Sequence, residues 1–218
     1  MIGENIKRIL AEIPAGVSVI AATKQRSVEE IEEAIACGIT IVGENYIQEA
    51  ERKFDSISGK VRWHLIGHLQ SNKVRKALDI FDCIQTLDTL KLASRLNAEL
   101  EASGKTISVL IEINSGSEPQ KAGVLPDTTV RFVEEAHAFK RVQICGLMTM
   151  GPACERPENL RPCFRRVRLL YEELKRSSPA GTTMEILSMG MSDSYRVAID
   201  EGANLVRIGT AIFGPRNQ

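Results

Sequence analysis

Eight short apolar runs alternate with amphipathic stretches along this chain, and that alternation constrains the fold more than any other feature. The runs are VSVIAA, ITIVG, RWHLIG, CIQTL, TISVLIEIN, VQICGLM, MEILS and NLVRIG. Between them lie SVEEIEEAIACG, NYIQEAERKF, SNKVRKAL, DTLKLASRLNAELEASG, PDTTVRFVEEAHAF, a long stretch from about Asn159 to Arg176, and SDSYRVAIDEG, all with helical spacing of their apolar residues. A further helical face, Ile6, Ile9, Leu10 and Ile13, precedes the first run. Strands that are apolar throughout are buried on both faces, which requires a parallel sheet covered by helices. Ser27 followed by Glu30 reads as a capping box, and Gly38 closes the same helix. Eight strand–helix units predict a closed (β/α)8 barrel, with a doubly wound open sheet as the competing architecture. No linker or low-complexity tract interrupts the pattern, so residues 1–218 are expected to form a single barrel domain.

Composition narrows the class of function. Hydrophobic residues make up 43% and charged residues 26%, which supports a buried core and argues against disorder. The 28 basic and 28 acidic residues cancel, leaving no excess positive charge for nucleic acid. Arg161, Arg165, Arg166 and Arg168 cluster beside Glu172 and Glu173 and read as a solvated helix face. Cys37, Cys83, Cys145, Cys154 and Cys163 are odd in number and dispersed, with no CxxC, which suggests a reducing compartment and a cytoplasmic protein. His64 and His68 are four apart but continue a strand, so no metal site is expected. MIGENIKRIL has no apolar signal region, and no run approaches the roughly 18 apolar residues of a membrane span.

Chemistry in such a barrel belongs at the C-terminal ends of the strands. Lys24 closes the first apolar run, where its stem starts inside the barrel mouth. The seventh and eighth strands end in SMGMS and RIGT. Glycine and serine in those positions present backbone amides and hydroxyls, with Ser192 and Thr210 as hydroxyl donors, and together they form a phosphate cup. Ser192 also reads as the N-cap of SDSYRVAID. A phosphate cup facing a lysine fits a sugar phosphate or pyridoxal 5'-phosphate (PLP), whose aldehyde condenses with a lysine amine. Carboxylates at strand ends are few: Glu44, and Glu112 within VLIEIN.

Longer stretches carry a family resemblance. They are AATK at Lys24, GENYIQEA from Gly43, WHLIGHLQSNK from Trp63, INSGSEPQKAG from Ile113, GLMTM from Gly146 and LSMGMSDSYRVAIDEGANLVRIGTAIFG to Gly214. In these the chain closely resembles the pyridoxal phosphate homeostasis proteins, single-domain relatives of the alanine racemase barrel. The resemblance implies PLP held as an internal aldimine on Lys24, with its phosphate around Ser188, Gly190, Ser192, Gly209 and Thr210. It further implies Asn45 and His64 near the ring, Met191 beside the phosphate loop and Arg207 at the pyridine nitrogen. A cation there disfavours protonation of that nitrogen and weakens the ring as an electron sink. Because the sequence stops at Gln218, shortly after the eighth strand, the second domain of the racemases is expected to be missing. The expectation is therefore a monomeric PLP carrier without a robust catalytic cycle, serving PLP-dependent apoenzymes. An amino-acid racemase or another Schiff-base enzyme is the alternative.

Overall fold

The computed structural model describes residues 1–215. Eight parallel strands close in sequence order into one barrel. They are β1 (Ser18–Ala22), β2 (Ile41–Glu44), β3 (Arg62–Leu65), β4 (Cys83–Leu87), β5 (Ile107–Glu112), β6 (Val142–Thr149), β7 (Thr182–Met189) and β8 (Leu205–Ile208). The seam is the pairing of β1 with β8, where Ile20 lies opposite Arg207. On its other edge Ile20 pairs with Ile41 of β2. The (β/α)8 expectation holds, and the open sheet is excluded by that seam.

The helices are α1 (Ile2–Glu12), α2 (Val28–Ala36), α3 (Ile47–Ile57), α4 (Val74–Ile80), α5 (Leu90–Ser103), α6 (Thr129–Ala136), α7 (Arg161–Ser177), α8 (Tyr195–Asp200) and α9 (Thr210–Phe213). None of the helices among the described residues is long and apolar enough to cross a membrane. Ser27 and Glu30 form the capping box that begins α2, each side chain accepting from the other's backbone amide. The arginines of α7 form the solvated face expected of them: Arg165 and Arg166 are exposed, and Arg168 pairs with Glu172 one turn on. Arg161 and Arg165 both reach Glu201 after α8, and Arg166 reaches Asp127 before α6. Partners displaced by more than thirty residues could not be seen from local spacing.

Alternation along each strand sorts the core into two layers. Val19, Ala21, Val42, Leu65, Ile84, Val109, Leu147, Leu187 and Val206 face outward and pack with helical residues such as Ile31, Leu96 and Phe164. Inside the barrel, Ile20, Ile41, Ile66 and Leu205 form one apolar cluster, and Cys83, Leu110 and Met148 another. The same alternation turns His64, Gln85, Glu112, Ser188 and Arg207 inward. The barrel interior is thus apolar at its floor and polar toward the C-terminal mouth.

Candidate functional site

Lys24 follows β1 in a tight turn whose backbone is held on both sides. Before it, Lys53 of α3 donates to the Thr23 carbonyl at 2.8 Å. Behind it, the amide of Gln25 donates to Glu49 Oε2 at 2.7 Å. Gln25 itself adopts a left-handed conformation at φ 60°, a strained choice for a side-chain-bearing residue that these contacts sustain. Lys53 also meets Glu44 Oε1 at 2.6 Å, and the Thr23 hydroxyl donates to that same oxygen at 2.8 Å. Glu44 is fully buried; burial pushes its carboxyl up and Lys53 opposes the shift. The sequence marked Glu44 only as a strand-end carboxylate. Its partner lies nine residues on, in the helix of the same β–α unit, where one turn of strand-to-helix geometry brings it back.

That turn delivers the Lys24 ammonium to a cavity of about 360 Å³, within the range of small-molecule sites. Its Nζ stands 5.0 Å from the centroid of the Tyr46 ring. Asn45 lines the cavity from the end of β2. A side chain on Gly67 would collide with the Asn45 carbonyl, so glycine lets the ends of β2 and β3 come together there.

The opposite wall is made by the endings of β7 and β8. The Ser192 hydroxyl accepts from the amides of Gly209, at 3.1 Å, and Ala211, at 3.2 Å. One side-chain oxygen therefore already sits where two orphan amides converge, at the start of α9. Ser192 does not cap α8; the residue at that position is Ser194, whose hydroxyl accepts from the Met191 amide at 3.1 Å. Gly190 turns the chain between these walls at φ 86°, where a Cβ would lie 2.6 Å from the Ala198 methyl. Arg26, which sequence reasoning passed over, also lines the cavity and fastens the far end of α9 through the carbonyls of Phe213 and Gly214.

Beneath the cavity runs a chain of buried hydrogen bonds across the barrel. Arg207 donates to the Thr149 carbonyl at 2.8 Å and to the Ser188 hydroxyl. Ser188 donates to Gln85 Oε1 at 2.8 Å, and Gln85 Nε2 stands 2.8 Å from His64 Nδ1. For that last bond to form, His64 must be neutral with its proton on Nε2. Burial holds it so, lowering its pKa to about 3. Arg207 is also buried, and loss of solvation lowers its pKa to about 10, so it remains charged at neutral pH.

Of the residues singled out from sequence, Lys24, Asn45, Met191, Ser192, Arg207, Gly209 and Thr210 line one cavity. His64 and Ser188 do not join them; they belong to the chain beneath. Gly190 does not line the cavity; it turns the chain just after β7. Gln85, fully buried and linking His64 to Ser188, had no sequence signal beyond being a polar residue inside CIQTL.

Comparison with known proteins places this geometry. The profile of the alanine racemase N-terminal domain matches residues 1–217. A pyridoxal phosphate homeostasis protein of Aquifex aeolicus is 39% identical over 215 residues, covering 98% of this chain and 89% of that protein. One of Pasteurella multocida is 36% identical over 206 residues, covering 93% and 88%. Among solved structures, PipY of Synechococcus elongatus with PLP bound superposes with a TM-score of 0.89 at 32% identity, covering 98% of this chain and 100% of that one. Alanine racemase of Clostridium difficile 630 superposes at 0.84 with 14% identity, over 100% of this chain and 57% of that one, which is a likeness of fold alone. The chain belongs to the alanine racemase N-terminal domain family and, within it, to the pyridoxal phosphate homeostasis proteins.

Proposed function

We propose that the chain binds pyridoxal 5'-phosphate in the cavity of Lys24 and keeps it in a protected, transferable form. The observation that carries this reading is convergence. A primary amine, a buried guanidinium, the Gly209 backbone and the hydroxyls of Ser192 and Thr210 all meet at a single cavity. Those donors suit the three chemical handles of PLP. The amides of Gly209 and Ala211, with Ser192 and Thr210, offer a phosphate its N–H and O–H donors. Lys24 offers an amine to a carbonyl carbon, and Arg207 offers an N–H to a ring nitrogen. PLP supplies an electrophilic aldehyde, which condenses with an amine by forming C=N and releasing water. The bound PLP of PipY and the names of the curated relatives support the assignment.

Within this reading the protein stores and delivers PLP and does not turn over a substrate. Arg207 has no carboxylate within ion-pair distance among the described residues, and Glu112 acts on it only from farther away, so its charge faces the ring-nitrogen position and opposes protonation there. The reading also takes residues 1–218 as one domain acting as a cytoplasmic monomer, with PLP-dependent apoenzymes as recipients. The cysteines are all free, which agrees with a reducing compartment.

Purified protein given PLP should absorb in the visible range, and borohydride reduction followed by peptide mapping should place the pyridoxyl group on Lys24. Recovery on Lys73 or Lys121 instead would sink the assignment; Lys24→Ala should abolish the band. Carrier and enzyme are separated by incubating the loaded protein with each alanine enantiomer and following the other by chiral chromatography. Lys24-dependent turnover on the order of 1 per second or faster would promote the racemase reading.

A further inference from the structure

A second cavity, of about 550 Å³, opens beside the first, and the two share Met150, Met191 and Asp193 in their walls. It lies over the ends of β4 to β7. Much of its lining is apolar, and its buried polar groups are, with one exception, committed within the protein. The Asn114 amide is folded into its own loop, donating to the carbonyls of Glu118 and Lys121. The hydroxyls of Ser115 and Thr149 are 3.0 Å apart. Lys121 bridges Glu118 at 2.7 Å, and the His68 ring faces Asp88 at 3.8 Å.

The exception is Glu112. Alternation along β5 turns it inward to line the cavity, and it is 6% exposed. Among the described residues its carboxylate has no hydrogen bond and no ion pair. Desolvation pushes the carboxyl up, helped by the charge of Asp88, and Arg207 and His68 oppose the shift without cancelling it. A nearly buried carboxylate facing open volume without a partner is an arrangement that a ligand cation relieves.

We propose that the second cavity is a subsite for an alkylammonium group, with the Glu112 carboxylate as its ion-pair partner and Met150 and Met191 covering its carbon chain. The chemical class follows from the lining: one buried anion without a partner, no free buried donor, and flexible apolar thioethers that adapt to aliphatic chains. This deepens the reading of the first cavity and rests on it at one point. An aliphatic amine carrying a second amino group could seat one nitrogen at Glu112 and turn the other toward the cavity of Lys24.

The test uses the full chain without PLP, labelled at its methionine methyl groups, and titrates butylamine, 1,4-diaminobutane and butyrate by NMR. Both cations should shift the Met150 and Met191 resonances at concentrations at least about tenfold below those butyrate needs, as an ion pair to a desolvated carboxylate requires. Glu112→Gln should erase that preference. Should that variant not fold, the carboxyl carbon of Glu112 in the wild-type chain should move on saturation with butylamine. Butyrate binding as well as the amines, a preference that survives Glu112→Gln, or an unmoved carboxyl resonance overturns the proposal. Because these titrations contain no PLP, their failure leaves the Lys24 reading standing, and a missing visible band leaves the amine result standing.

Discussion

Lys53 and Arg207 are both buried cations, 8% and 4% exposed, and the protein treats them in opposite ways. Lys53 lies between carboxylates, 2.6 Å from Glu44 and 3.3 Å from Glu49. Its charge is used up inside the fold, and what it holds is backbone, the turn that carries Lys24. Arg207 is satisfied by neutral oxygens, the Ser188 hydroxyl and the Thr149 carbonyl. Those acceptors fix its orientation without cancelling its charge, and the charge lies at the cavity wall. A buried cation paired with carboxylates is structural; one held by neutral acceptors beside an open cavity keeps its field for a ligand.

The largest expected effect sharpens that contrast. Lys53→Met strands the Glu44 carboxylate, one oxygen of which already lacks a partner, and should cost about 3–5 kcal/mol in urea unfolding. Adding Glu44→Leu should recover most of the loss, because removing both charges removes the uncompensated one. Arg207→Met leaves behind only neutral acceptors and should cost less than about 2 kcal/mol, while weakening PLP binding. If Arg207→Met proves the more destabilising of the two, the contrast is broken.

A second test acts on the hydrogen-bond chain under Arg207. Folded His64 stays neutral down to about pH 3, whereas in the unfolded chain it takes up a proton near 6.5. Its folded pKa is the lower of the two, so stability is fully present above about pH 6.5 and is lost as pH falls toward 3. Between pH 7 and pH 5 the wild type should lose about 2 kcal/mol more than His64→Asn, which has no proton to bind. Parallel slopes in urea titrations at the two pH values would show that the chain tolerates an imidazolium.

The smallest effect concerns Ser192. Ser192→Ala should lower PLP affinity by roughly 1–2 kcal/mol, one hydrogen bond to a charged group. Pyridoxal, which lacks the phosphate, should bind far more weakly than PLP and be nearly indifferent to the substitution. Equal affinity for the two vitamers in the wild type would remove the β7–β8 wall as a phosphate site.

Much of this is legible in the sequence alone, for a definite reason. Strand burial on both faces leaves a continuous apolar run, and helices between strands leave a 3.6-residue period. Both are local signals, so CIQTL appears as β4 from Cys83 to Leu87 and the face of Ile6, Ile9 and Leu10 lies within α1. The endings SMGMS and RIGT were legible because turn residues and orphan amides also follow from short sequence. What the tertiary structure alone decided were the partners. Ser188 looked like part of the phosphate wall, yet the inward alternation of β7 points it to Gln85, 103 residues away in sequence. The meeting of Arg207 with Thr149 and the unpaired state of Glu112 are likewise settled by barrel closure. Local sequence determines which residues are strand, helix or turn, because backbone sterics and hydrophobic period act over a few residues. Which buried charge finds a partner and which is left facing a cavity depends on strand register around the closed barrel, and no local pattern encodes that.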